Sequence, residues 1–182
     1  MFDASLESAA QIIARHAPHH GVFPTLVPGL TLYRIESNAF IERTAGEIMT
    51  TFIVHGRKTT AIGGKMLEYG AGESLVCGIA SPSEFHTLDA SRDNPFLALS
   101  VSLDASILME YADALYDRHQ SAQLSEMPGG VFVICPDEDL RDVFLRLLKI
   151  LDRPKLIAVR APLILRELHA LLLDSSCGAE PV

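Results

Sequence analysis

The amino-acid sequence predicts a mainly β protein with added helices: a short N-terminal helix, a small antiparallel β-barrel, and a C-terminal helical layer. Two observations support this fold class. Short β-prone segments, separated by Gly, Pro, Asn and Asp, fill the run from Ile48 to Leu103. After Asp104 the spacing of apolar residues changes from two to about three and a half, which is typical of α-helices.

The first predicted element is a helix near the N-terminus, which Asp3 or Ser5 can cap and Ala17-Pro18 ends. An apolar stripe runs along it, made of Leu6, Ala9, Ala10, Ile12 and Ile13. A stripe of this kind needs a partner surface, so we expect the helix to dock on the barrel.

Turn residues divide the following region into strands, beginning with Thr31 to Glu36. The later breaks are Gly56, Gly63-Gly64, Gly70-Ala71-Gly72, Ser81-Pro82-Ser83 and Arg92 to Pro95. The last long strand has two partly apolar faces, with Leu97, Leu99, Val101 and Leu103 on one and Phe96, Ala98, Ser100 and Ser102 on the other. This pattern favours a barrel wall between a lumen and covering helices, although an ordinary sandwich strand is the alternative.

Helical patterns follow Asp104, which is a good N-cap residue. The first helix is predicted to end at Arg118 to Gln120, the second to run from Pro136-Asp137 to near Pro154, and the third to follow Pro162. The short GGVFVICP run between the first two helices is interpreted as one more strand or an extended strap.

Composition indicates one domain, because 182 residues with 48% hydrophobic content can bury a full core. The three cysteines form no Cys-x-x-Cys pair, so we expect neither a disulfide framework nor a zinc site. No apolar run has membrane length and the N-terminus is acidic and amphipathic, so a cytoplasmic protein is expected. Fifteen basic and 23 acidic residues leave a net charge of −8, without the basic cluster that DNA binding needs.

Three segments carry a family resemblance: VHGRK at Val54 to Lys58, LEYGAGESLV at Leu67 to Val76, and NPFLALSVSLD at Asn94 to Asp104. In this order they resemble the N-terminal, effector-side domain of AraC-type transcription regulators, over most of residues 26–173. The resemblance implies a cupin-like barrel that binds a small-molecule effector, and homodimerisation through the helices after it.

The same resemblance divides the chain into an N-terminal helix and arm (1–25), a cupin-like barrel (26–104) and a helical dimerisation or linker region (105–182). It also implies a helix-turn-helix domain, for which the sequence has no pattern up to Val182. We therefore expect DNA binding only through a domain after residue 182. The effector would act by allosteric linkage between the barrel and that domain.

Two other functions are alternatives: a stand-alone cupin-type enzyme on a small polar substrate, and a dimerisation module with a packed lumen. Metal-dependent cupins use two histidines one residue apart, a glutamate and a later histidine. Only Pro82-Ser83-Glu84-Phe85-His86 resembles the end of this pattern. No catalytic residue, metal or cofactor is therefore expected.

Ligand contacts are expected from strand residues that face the lumen. Glu84 and His86 are the first choices because they share a face with Leu88, and His55 and Arg34 are the second. For each of the four, hydrogen bonding at the surface or barrel rim is an equally good interpretation. Arg57 and Lys58, which lie in the GRK turn, are expected to be exposed.

Overall fold

A computed structural model describes residues 4–38, 41–44, 46–115 and 130–176. It begins with helix α1 (Ala4–His16). The strands are β1 (Gly21–Pro24), β2 (Leu30–Ile35), β3 (Ile41–Thr44), β4 (Met49–His55), β5 (Arg57–Ile62), β6 (Lys65–Gly70), β7 (Ser74–Cys77), β8 (Ser83–Leu88), β9 (Phe96–Ser102) and β10 (Val131–Ile134). The remaining helices are α2 (Ala105–Leu115), α3 (Glu138–Lys149), a 3-10 turn (Ile150–Asp152) and α4 (Pro154–Ser176).

The strands form two antiparallel sheets, with orders β1-β2-β9-β4-β7-β10 and β3-β8-β5-β6. Their inner faces share one core, to which the larger sheet contributes Ile35, Ile53 and Leu75 and the smaller sheet contributes Ile62 and Leu67. The predicted combination of an antiparallel β-barrel with a short N-terminal helix and C-terminal helices is confirmed.

Helices cover the outer face of the six-stranded sheet and form a second core. The rings of Phe52 on β4 and Phe144 on α3 stack there, with centroids 4.8 Å apart and planes 6° from parallel. Ile12 and Ile13 of α1 are buried in the same core, so this helix docks on the barrel as expected. Strand β9 lies between β2 and β4, and its two apolar faces serve the two cores.

The last helix differs from the prediction, because α4 begins at Pro154 and continues through Pro162. A proline is well tolerated at the first helical position, where its missing N–H has no intrahelical partner. The buried side chains of α4 continue at helical spacing on both sides of Pro162, namely Ile157, Ala161, Ile164, Leu168 and Leu172. Packing of this stripe against the core therefore overrides the cost of an internal proline. The predicted end of the first helix at Arg118 to Gln120 lies outside the described residues.

His169 connects α4 to the end of the barrel wall, and its residue is only 2% exposed. The ring Nδ1 lies 2.6 Å from the carbonyl oxygen of Leu165, and Nε2 lies 2.8 Å from the backbone nitrogen of Asp104. Because a carbonyl accepts and a backbone N–H donates, this geometry requires the neutral ring with hydrogen on Nδ1. The Asp104 carboxylate in turn accepts from the backbone N–H of Ser106, as expected for the N-cap of α2.

We predict that His169→Ala lowers the free energy of unfolding by about 3 kcal/mol, because it leaves a cavity and an unsatisfied buried N–H at Asp104. His169→Gln should lose much less, since its side-chain oxygen can accept from the same N–H. Chemical denaturation of both variants and the wild type checks this. Equal losses for Ala and Gln would contradict the assigned hydrogen bond.

Candidate functional site

The lumen between the two sheets is the candidate ligand site. On the smaller sheet, alternate residues of β5, β6 and β8 face inward and are buried: Lys58, Thr60, Ile62, Leu67, Tyr69, Ser83, Phe85 and Thr87. The larger sheet contributes mainly apolar side chains, including Ile53, Phe96 and Ala98. The lumen is therefore lined by apolar and aromatic side chains with a few polar groups, a composition typical of small-molecule sites.

Lys58 is the dominant polar group of this lumen. The residue is 4% exposed, and its Nζ lies 4.0 Å from the ring centroid of Phe85 and 5.4 Å from that of Tyr69. The ring of Phe96 is also near, with its centroid 6.0 Å from Nζ. Taking an ammonium out of water costs free energy, and aromatic faces offset part of that cost. Buried charges of this kind concentrate at functional sites.

The expected exposure of Lys58 is therefore wrong, and the start of β5 explains why. Gly56 adopts a φ of +83° and turns the chain directly after β4. Strand β5 begins at Arg57, so alternation directs Arg57 outward and Lys58 inward together with Thr60. The register supports this, because Lys58 pairs with Tyr69 on β6 and with Thr87 on β8, which are also buried.

Two of the described groups near Lys58, Tyr69 and Cys77, are neutral at physiological pH. Burial raises the pKa of Tyr69 far above its usual value, and its hydroxyl lies 3.0 Å from the Thr60 hydroxyl. Burial also raises the pKa of the Cys77 thiol to about 11, although the positive charge of Lys58 acts in the opposite direction. Among the described residues, the lumen thus contains an ammonium, hydroxyl groups and aromatic rings. This set of groups favours a ligand with a negative charge and an apolar body.

Glu84 and His86 lie on the outer face of β8, so their expected inward orientation is wrong. Their side chains are 32% and 41% exposed, whereas Phe85 between them is buried. The structure does bring the two together, with His86 Nε2 at 3.1 Å from a Glu84 carboxylate oxygen. Arg43 on β3 donates to the other oxygen. The hydrogen bond from Arg43 and, to a smaller extent, the one with His86 lower the pKa of Glu84.

His55 and Arg34 also have structural partners within the chain. His55 ends β4, and its Nδ1 donates to the carbonyl oxygen of Pro95 at 2.7 Å. Arg34 donates from Nε to Glu36 at 2.8 Å, and its Nη1 lies 3.5 Å from the carbonyl oxygen of Ala17. The first contact fixes the chain that leads into β9, and the second holds the end of the N-terminal segment. Ligand binding by these two residues, and by Glu84 and His86, remains a prediction.

A cleft of about 560 Å³, which we call the rim cleft, opens at one end of the barrel. Its lining includes Gly56, Tyr69, Glu73 and Asp89, together with an ion pair in which Arg57 donates to Glu68 at 3.0 Å. Tyr69 therefore borders both the rim cleft and the lumen core.

Within the described residues, no group of three or more His, Cys, Asp or Glu side chains is arranged to hold a metal ion. None of the helices in the described part of the chain has the length and apolarity required to cross a membrane.

Comparisons with known proteins agree with this architecture. A family model described as the N-terminus of AraC-type transcriptional regulators matches residues 26–180. The crystal structure of the AraC-like transcriptional activator CuxR is similar over 88% of this chain and 56% of its own, with 12% identity and a TM-score of 0.54. No match to a curated protein was found.

Two structures of ToxT from Vibrio cholerae strain SCE256 are similar as well. An apo variant matches with 8% identity and a TM-score of 0.56, covering 87% of this chain and 56% of its own. Wild-type ToxT with a bound unsaturated fatty acid matches with 6% identity and a TM-score of 0.56, covering 84% of this chain and 56% of its own. At these identities the likeness shows the fold. The chain spans about half the length of these solved regulators.

We predict that Cys77 resists thiol reagents in the folded protein. Its raised pKa leaves only about 1% thiolate near pH 9, and burial blocks access as well. A variant with Cys135→Ser and Cys177→Ser retains Cys77 as its sole thiol. Ellman's reagent should label it slowly until denaturant is added. Labelling at the rate of a free thiol would mean that the lumen is open to water at this position.

Proposed function

The chain belongs to the family of AraC-type transcriptional regulator N-termini, and we propose that it is the effector-sensing part of a longer regulator. In this proposal the barrel lumen recognises a small molecule and releases it unchanged. DNA is bound by a separate helix-turn-helix domain, consistent with similar regulators of whose length this chain covers 56%. The observation that carries the proposal is the ammonium of Lys58, buried among aromatic rings inside the barrel.

The chemistry of the lumen favours a carboxylate with an apolar or aromatic body. Away from bulk water, the attraction between an ammonium and a carboxylate is stronger than at the surface. Hydroxyl groups of Thr60 and Tyr69 lie in the same space and can add hydrogen bonds. One of the similar ToxT structures contains an unsaturated fatty acid, which is a ligand of this chemical class.

The ligand contacts predicted from the sequence define a competing site. Glu84 and His86 lie together on the outer face of the smaller sheet, where a ligand would bind at the surface of the barrel rather than inside it. His55 on β4 and Arg34 on β2 lie on either side of β9, both opposite Leu97. Variants of Lys58 and Glu84 therefore distinguish the two sites.

We further propose that two copies of the chain pair through α4. Three apolar residues lie exposed along one stripe of this helix, at spacings of three and four: Leu156 at 40%, Val159 at 68% and Leu163 at 66%. The stripe is distinct from the buried one, which contains Ile157, Ala161 and Ile164. Exposed apolar residues at this spacing are typical of helices that pair with another helix.

A continuous set of contacts can link the lumen to this helix. Phe96 and Ala98 of β9 lie in the lumen core, and the strand leads to Asp104. Asp104 is bound by His169 of α4. An effector that favours one position of β9 would therefore shift the position of α4, which is the linkage that the proposed regulation requires.

We predict that carboxylates bind in the lumen and stabilise the chain. Benzoate, hexanoate and palmitoleate are tested by thermal shift against their matched alcohols, on the wild type, Lys58→Met and Glu84→Gln. A carboxylate that binds should add about 2.7 kcal/mol of stability at a hundred times its dissociation constant. Its alcohol should bind at least tenfold more weakly, Lys58→Met should remove the difference, and Glu84→Gln should keep it.

The opposite pattern would contradict the lumen site. If Glu84→Gln abolishes binding while Lys58→Met does not, the ligand lies on the outer face of β8, as the sequence predicted. If carboxylates and alcohols stabilise the wild type equally, the charge of Lys58 does not determine the ligand class.

We also predict that the double variant Val159→Glu with Leu163→Glu weakens the dimer at least a hundredfold, because it places charges in an apolar helix pair. Analytical ultracentrifugation measures the change. Met66→Glu is the matched control, since Met66 is equally exposed, at 69%, but lies on the smaller sheet. A wild type that stays monomeric at high micromolar concentration, or equal dissociation of the control, would contradict pairing through α4.

A further inference from the structure

A second concave surface lies away from the barrel, at the junction of α3, the 3-10 turn and α4. We call it the junction cleft. It has a volume of about 340 Å³ and is lined by Arg146, Lys149, Ile150, Asp152, Arg153 and Arg160. Four of these six residues are basic and one is acidic, whereas the whole chain has a net charge of −8. The cleft is therefore a local concentration of positive charge on an acidic protein.

The acidic residue of the junction cleft already has cationic partners. A carboxylate oxygen of Asp152 accepts from Arg15 at 2.6 Å, and the other lies 2.9 Å from His16 Nε2. Arg146 is also ion-paired, because it donates to Asp142 and to Glu167, both at 2.7 Å. Asp152 and Arg146 therefore have their charges balanced by these partners. The net positive charge of the cleft comes from its other basic residues.

Three cations remain for a ligand: Lys149, Arg153 and Arg160. All three are exposed, and within the described part of the chain no ion pair involves any of them. Like charges that share a cleft repel one another, and a bound anion relieves that repulsion. The long helix α4 also begins at Pro154, next to Arg153, and the N-terminus of a helix favours negative charge.

We infer that the junction cleft binds a small anion that carries a pyrophosphate group. Guanidinium groups bind phosphate oxygens through paired N–H donors, and two arginines in one cleft match two linked phosphates. The volume lies at the lower end of small-molecule sites, which suits a diphosphate or a nucleoside diphosphate. Duplex DNA fits less well, because it needs an extended basic surface rather than one cleft on a chain of net charge −8.

Isothermal titration of the full chain with inorganic pyrophosphate and with ADP, at constant ionic strength, tests this inference. Both should bind saturably to the wild type. The double variant Arg153→Gln with Arg160→Gln should lose at least tenfold in affinity for each. The single variant Lys149→Gln should also lose affinity for both ligands, which tests the contribution of Lys149 independently of the two arginines. Similar affinity for the two ligands would locate recognition in the phosphates.

The matched control is Lys155→Gln with Arg92→Gln, which removes two exposed charges outside the cleft. We expect this control to bind as the wild type does. No saturable binding by the wild type would overturn the inference, as would equal losses in the control. Displacement of pyrophosphate by a short DNA duplex would also overturn it and assign the surface to nucleic acid.

Discussion

Burial of strand β9 on both faces is the constraint on which the rest of the structure depends. The strand separates two cores, with Phe96 and Ala98 in the lumen and Leu97, Leu99 and Val101 under the helices. A strand of this kind cannot have a solvated face, so the helical layer is required as soon as the barrel closes. It also places the lumen and α4 on opposite sides of the same wall. The lumen core and the helical layer therefore contact the same strand.

The ammonium of Lys58 adds a positive charge to a lumen that is otherwise lined mainly by apolar side chains. An apolar lumen alone would select ligands by size and shape, and one methylene group changes affinity only modestly in such a site. In the proposed site, the charge within the barrel would add discrimination between ligands, because a ligand without a matching charge would bind more weakly. The rings of Phe85, Tyr69 and Phe96 contribute to stabilising this charge. Selectivity and stability would thus depend on the same region of the barrel.

Much of the fold could be predicted from the sequence, because its signals are local. The stripe of α1, the two faces of β9 and the start of α3 after Asp137 all follow from spacing and capping. The Asp137 side chain does accept from the backbone N–H of Leu140. The start of α4 was misjudged because Pro162 is a local signal, whereas the packing of Ala161 and Ile164 that overrides it is tertiary.

The candidate site was harder to predict, because alternation shows which residues share a face but not which face is inside. On β8, Glu84 and His86 share a face with Leu88, and either face could have been the inner one. The choice depends on pairing with distant strands, such as Lys58 with Thr87 and Thr60 with Phe85. One available signal was the turn at Gly56. A strand that begins at Arg57 directs Lys58 to the same side as Ile62, which is an apolar residue that requires burial.

Pro162 has a mechanical consequence for α4. It has no N–H, so the carbonyl oxygen of Ala158 lacks the donor that a regular helix would supply, and the proline ring crowds that carbonyl. Helices bend most easily at such positions. Pro162 divides α4 into a first segment, which carries Leu156 and Val159 of the exposed apolar stripe, and a second segment, which carries Leu163 and is bound at His169. A small shift of the second segment would change the angle between the two segments at Pro162. Because the helix is long, a small change of that angle would move its N-terminal end by a large distance.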